Sequence, residues 1–310
     1  MRAAVLRCAR EELDHAVAEL SEGIKDDPMR AVHSARKAVK KERSLLRLAR
    51  GAMSAEQRRR ENNALREAAR ELSGARDADV MVATVDSLAH RFAGQLPTTT
   101  FDAIGQQLGS RASNGDRASG SAVDARAIQE LRAVRVRVDD WKLHRGGWKA
   151  IKAGLLRSYE RGRSAFARAR RTRSLDDLHA WRKRVKDLWY HQRLLTSICG
   201  PTARGLAKDA HRLADLLGDD HDLALLREEV AQDVMPVAGD LSAVVQLIDH
   251  RRDELQTEAV AIGERVYAES PKAFIRRMKR AWSGGRALAR APHESLPAEL
   301  AAATRKPQLG

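Results

Sequence analysis

The chain has 310 residues, with 57 Lys and Arg against 42 Asp and Glu, for a formal net charge of +15. That length buries a substantial core without covalent staples. Cys8 and Cys199 stand far apart, outside any Cys-x-x-Cys or Cys/His ligand spacing, so neither a disulfide framework nor a zinc site is expected. The excess charge calls for a polyanionic partner, and nucleic acid, an acidic membrane surface and inorganic polyphosphate all qualify.

Ala, Leu, Arg and Glu dominate, β-branched residues are sparse outside helical patterns, and turn signals recur at helix-sized intervals. This is an all-α composition. Taken in chain order, the apolar periodicity predicts helices at roughly 2–21, 28–50, 55–73 and 76–93. Asp27-Pro28 marks the second start with a capping side chain before a proline, and Ser54 three residues before Gln57 has the capping-box spacing. The stretch 95–120, rich in Thr, Ser, Gly and Asn, reads as a mobile loop.

Further helices follow at roughly 121–144, 147–171, 175–198, 202–217, 221–234, 240–268 and 271–282, the last opened by Ser270-Pro271. Residues 291–310 read as a disordered C-terminal tail. No apolar run approaches the roughly 20 residues that span a bilayer, so no membrane partner is expected. The N-terminus lacks the apolar core of a signal peptide, and Glu11, Glu12 and Asp14 argue against a transit peptide. A reducing cytoplasm suits the two isolated cysteines.

Inside the second and seventh predicted helices one pattern occurs twice. His33, Arg36, Lys37 and Lys40 recur as His179, Arg182, Lys183 and Lys186, with Arg47 and Arg193 seven residues beyond. On an α-helix the members of each set lie within roughly 60° of their histidine, so each makes one cationic stripe. The opposite faces are apolar, with Val32, Ala35, Val39, Leu46 and Ala49 in one copy and Leu178, Trp181, Val185, Leu188 and Leu195 in the other. Those faces belong in a core. A solvated helix face ordinarily mixes both signs, whereas like charges at this spacing destabilise the isolated helix, so an anion is expected to compensate them.

Leu72-Ser73-Gly74-Ala75-Arg76-Asp77 matches Leu217-Gly218-Asp219-Asp220-His221-Asp222 at nearly the same offset as the stripes. Two elements repeated in the same order imply two tandem helical halves, 1–145 and 146–290, packed about a pseudo-two-fold axis with both stripes facing a shared basic central cavity. Lys208, His211 and Arg212 make a shorter basic face, and Lys152, Arg157 and Tyr159 fall on another basic helix. Arg276, Lys279 and Arg280 follow Ser270-Pro271, and Tyr190 falls on the second stripe. All of these are second-tier candidates for the same site.

The segments Ala31-Val32-His33-Ser34-Ala35-Arg36-Lys37, Leu178-His179-Ala180-Trp181-Arg182-Lys183, Leu72 to Val80, and Ser270-Pro271-Lys272-Ala273-Phe274 together resemble the CHAD domain, a histidine-containing α-helical domain often attached to CYTH-type triphosphatases. The resemblance covers nearly the whole chain, with Ser73 where a glycine is usual. It implies two similar helical halves around a basic cavity or pore that binds inorganic polyphosphate, localisation to polyphosphate granules, and no catalysis. A partner enzyme of polyphosphate metabolism fits the same reading, and no cofactor is implied.

Three rivals are weaker. Metal binding would use His33, His179 and the aspartates at 77, 79, 219, 220 and 222, but ligands rarely sit among cations, and those aspartates read as helix caps. Phosphoryl chemistry lacks a glycine cradle or a nucleophile elbow. General polyanion or nucleic-acid binding fits the charge and is the alternative reading. Aromatics at 4% of the chain leave few base-stacking platforms, so only weak nonspecific nucleic-acid binding is expected.

Overall fold

A computed structural model describes residues 2–72, 77–115, 120–231 and 241–288, with side chains for all of these except 77–79, 111–115 and 120–124. Helix α1 (Arg2–Ala18) runs through a π-helical turn (Glu19–Gly23) into the short α2 (Ile24–Asp26). Next come α3 (Pro28–Leu48), a 3-10 turn (Ala49–Gly51), α4 (Ala55–Glu71), α5 (Asp77–Arg91), α6 (Thr98–Gly115) and α7 (Gly120–Val138). Then follow α8 (Gly147–Thr172), α9 (Leu175–Ala231), α10 (Leu241–Val266) and α11 (Pro271–Leu288). Among the described residues there is no strand, and no helix is long and apolar enough to cross a membrane.

The helix starts follow local chemistry. Asp27 accepts from the Arg30 amide at 2.9 Å, with Pro28 in the first turn of α3, and Ser54 accepts from the Gln57 amide at 3.1 Å. Ser270 does the same for Ala273 at 3.3 Å ahead of α11. Each side chain satisfies an amide that the helix leaves without a partner.

Two expectations are corrected. Most of the stretch 95–120 is not a loop, because α6 occupies Thr98–Gly115, while 116–119 lie outside the described residues. In that helix Phe101, Ile104 and Leu108, only 4%, 1% and 2% exposed, share one face and pack with Val85 and Leu88 of α5 and with Phe92 just beyond its end. Three large apolar residues at helical spacing outweigh the polar composition around them. The break expected between 198 and 202 falls at Gly200, where φ is 54° and ψ −135° just before Pro201, but the helices expected at 202–217 and 221–234 run on as one to Ala231, so that α9 spans Leu175–Ala231 with a single kink. The break expected near Gly218 does not occur; that glycine is helical and buried. The tail at 291–310 and most of the segment Leu72–Asp77 lie outside the described residues.

The core has two parts. One is built from α1, α3, α4 and α7 around Leu13, Val39, Leu46, Leu65 and Leu131. The other centres on α8 to α11, with Leu155, Trp181, Leu213, Ile248 and Phe274, and takes in the apolar faces of α5 and α6 as well. A division after residue 145 therefore runs through a shared core. At Gly154 the junction is tight: a Cβ there would fall on the carbonyl oxygens of Arg47 and Leu48, so the absence of a side chain lets α8 close against the end of α3.

Candidate functional site

Helix α3 buries Ala35, Val39 and Leu46, and α9 buries Leu178, Trp181, Val185, Leu188 and Leu195, which turns both cationic stripes away from the core. The helices meet through a polar contact at Asp187, which is 3% exposed. Ser44 Oγ donates to the Asp187 carbonyl at 3.5 Å, and His191 Nε2 lies 2.9 Å from the Ser44 carbonyl, so that nitrogen carries the proton. Arg47 reaches Asp187 Oδ1 from Nε at 2.9 Å and from Nη2 at 2.8 Å, while Arg184 reaches Oδ2 at 3.3 Å.

N-terminal to this contact on both helices, His33, Arg36, Lys37 and Lys40 of α3 and His179, Arg182 and Lys186 of α9 line one cavity of about 420 Å³. Val80 and Met81 of α5 complete one wall. The later part of α9, which lies beyond the Gly200 kink, brings His211, Asp215, His221 and Asp222, and Trp189 and Tyr190 also line the space.

The remaining stripe residues are placed elsewhere. Arg47 is held by Asp187, Lys183 is exposed beside His179, and Arg193 lies 5.5 Å over the Trp189 ring. Of the second-tier residues, Tyr190 and His211 line the cavity. Tyr159 is fully buried instead, stacked on Phe274 at 3.9 Å and donating to the carbonyls of Val266 and Glu269. Its basic neighbours in sequence concealed an apolar helix position. Lys208 and Arg212 line a shallow hollow behind Trp189, and Arg212 is paired with Glu258. Arg276 and Arg280 border a separate hollow with Thr202 and Glu269, while Lys152, Arg157 and Lys279 are exposed.

His221 is a cavity residue that stripe spacing does not reveal; its signal is the repeated segment 217–222, whose glycine has a local reason. A Cβ at Gly218 would come within 3.0 Å of Arg182 Nη2, so the glycine makes room for that guanidinium. The His179 and His221 rings lie 4.4 Å apart, and the Nδ1 atoms of both are buried without a hydrogen-bond partner. Burial, then Lys183, His221 and Arg182, push His179 down to about 4. Burial and Arg182 push His221 in the same direction. In the structure as it stands the pair is uncharged at neutral pH.

Asp220 is not a helix cap. It is buried within α9, where Arg252 Nε at 3.1 Å and Gln256 Nε2 at 2.8 Å tie it to α10. The side chains of Asp77 and Asp79 lie outside the description. Among the described residues no group of three or more His, Cys, Asp or Glu side chains is placed to hold a metal ion.

The CHAD domain family model matches residues 7–231, which include both stripes and every residue of the cavity wall. The chain belongs to the CHAD domain family. That family is generally associated with polyphosphate binding. Among curated proteins, none matches the chain.

In this CHAD domain Asp187 is the fastening between the two stripe helices, and its removal leaves Arg47 and Arg184 without their counter-charge. Asp187→Ala is expected to lower unfolding stability by about 3–5 kcal/mol in a urea titration, the range for breaking one side of a buried ion pair. A loss under about 1 kcal/mol, the size of a surface pair, would show that the crossing is held by apolar packing alone.

Proposed function

We propose that this CHAD domain binds inorganic polyphosphate in the cavity lined by the two stripes, that its helical halves are related by a pseudo-two-fold axis through that cavity, and that the domain itself catalyses nothing. The observation that carries the reading is convergence: His33, Arg36, Lys37 and Lys40 face the same space as His179, Arg182 and Lys186. Polyphosphate carries about one negative charge per interior unit and has no bases, so its recognition consists of charge and hydrogen bonds to non-bridging oxygens. Arginine supplies a planar fork for two oxygens and lysine a mobile point charge. Successive helical turns are about 5.4 Å apart, which lets a stripe meet oxygens along an extended chain. Such binding serves to dock the protein, or an enzyme of polyphosphate metabolism that partners it, on polyphosphate granules in the cytoplasm.

Nucleic acid is the competing ligand, and the packing of Trp189 argues against it. Its ring is already stacked with Tyr190 at 4.7 Å and packed on His211 at 4.2 Å, with Arg193 over it, contacts that a stacking base would have to displace. The test is titration with long-chain polyphosphate near 0.15 M salt with duplex DNA as competitor. Tight binding that DNA does not displace supports a dedicated site. Equal competition by DNA makes the chain a general polyanion binder and overturns the proposal.

A further inference from the structure

A second cavity, of about 150 Å³, lies between α1, α3 and α9 and is lined by Cys8, Glu11, Glu12, Lys41, Glu42 and Arg193, with Leu45, Leu194 and Tyr190 closing it. Glu42 dominates it chemically. Its side chain is 0% exposed, and neither carboxylate oxygen has a hydrogen-bond partner. Leaving such a group unsatisfied in a core is costly. The duplication shows that packing does not require it. Aligning the two His-x-x-Arg-Lys-x-x-Lys stripes places Glu42 opposite Leu188, which is 0% exposed in the core. A leucine therefore satisfies the same helix position in the other copy.

The neighbours define what Glu42 faces. Lys41 is engaged by both oxygens of Glu12 at 2.9 Å. Glu11, 64% exposed and paired with Arg7 at 3.6 Å, stands at the rim. While Glu42 keeps its proton, Glu11 and Glu12 balance the two cations Lys41 and Arg193; once Glu42 ionises, one additional positive charge balances the wall. Since no group of described His, Cys, Asp or Glu side chains is placed to coordinate a metal, the matching cation is one held by hydrogen bonds. An ammonium group supplies N–H donors to a carboxylate, and Leu45 and Leu194 offer an apolar wall for methylenes. A cavity of this size holds a few waters or a short amine.

We infer that this cavity is a binding site for an alkylammonium group, such as the end of a diamine, with Glu42 as its counter-charge. The site is separate from the cavity between the stripes, although Tyr190 lines both cavities and Arg193, from the far end of the second stripe, lines this one. Burial, with Glu12 and Glu61 adding, pushes the Glu42 carboxyl up to about 8, so it is protonated at neutral pH until a cation arrives. Between its ordinary value and about 8 the folded protein holds a proton that the unfolded chain has released, and stability falls as pH rises through that window. A bound ammonium ion favours the ionised carboxyl, so binding at pH 7 releases a proton. The groups facing Glu42 are Cys8 and Glu12 of α1, Glu61 of α4, and Tyr190 and Arg193 of α9.

The experiment is calorimetric titration and thermal unfolding of the full chain with 1,4-diaminobutane, against KCl at matched ionic strength. The wild type is expected to release heat and melt higher with the diamine but not with KCl. Glu42→Gln and Glu42→Leu are expected to lose the response, and Glu42→Leu to melt above the wild type without diamine. No heat and no shift in the wild type, or an equal shift in Glu42→Leu, overturns the site. Polyphosphate titration of Glu42→Leu keeps the two readings apart, because its affinity is expected to equal that of the wild type whether or not the diamine binds.

Discussion

Alanine at Arg36, Lys40, Arg182 and Lys186 together is expected to weaken binding of long-chain polyphosphate by roughly a thousandfold at 0.15 M salt. These four side chains are chosen because all line the cavity, two from each stripe, whereas Lys183 does not. A hydrogen bond to a charged group contributes about 1.5–3 kcal/mol, and losses at neighbouring positions are not additive, so a combined loss of about 4 kcal/mol is a conservative sum. At about 1.4 kcal/mol per tenfold, that is about three decades. The slope of log affinity against log salt should fall with it, since fewer counterions are released. The matched control removes four arginines from other helix surfaces, Arg58, Arg59, Arg168 and Arg171. It lowers net charge equally, and the expected loss is less than about tenfold, because these groups act on a mobile polyanion only through screened solvent. Equal losses from both sets would mean that total charge, and not its placement, creates the affinity.

The second large effect is pH dependence. Polyphosphate affinity is expected to rise by about tenfold as pH falls from 8 to 5.5, with uptake of protons on binding. In the unliganded protein, burial and then Lys183, His221 and Arg182 hold His179 at about 4, and His221 is pushed down as well. A phosphate chain beside them brings negative charge and acceptors for imidazolium N–H groups, both of which favour the charged form. The sign follows: the complex binds more protons than the free protein, so affinity is gained as pH drops through the raised pKa of the complex. Asp176 on the His179 side and Asp220 and Asp222 on the His221 side favour the same protonation. Long chains are the ligand to use, because their few terminal phosphates keep the polymer's own titration small. Gln at both His179 and His221 should flatten the profile between pH 6 and 8. A wild-type affinity constant over that range would eliminate the coupling.

What could be read from residues alone were the features governed by neighbours along the chain. All-helical character, the capped starts at Asp27, Ser54 and Ser270, and the two cationic stripes with their apolar backs all follow from a period of 3.6 residues and from local hydrogen bonding. Composition misled at 95–120, where polar residues surround the buried Phe101, Ile104 and Leu108, and at Gly218, where a glycine that suggests a stop accommodates Arg182 within a continuing helix.

Spacing along a helix fixes which face a residue shares, so the sequence by itself determined that two cationic faces exist. Which members of each face reach the cavity depended on partners distant in the chain. Arg47 shares its stripe's spacing with Arg36 and Lys40, yet Asp187 holds it at the helix crossing, and Arg193 lies over Trp189. His221 joins His179 only because α9 brings them together, and Glu42 stands out only once its neighbours are seen to leave its oxygens unsatisfied. Only the tertiary structure decided these assignments, because burial and charge pairing depend on what packs across from a residue and not on what precedes it.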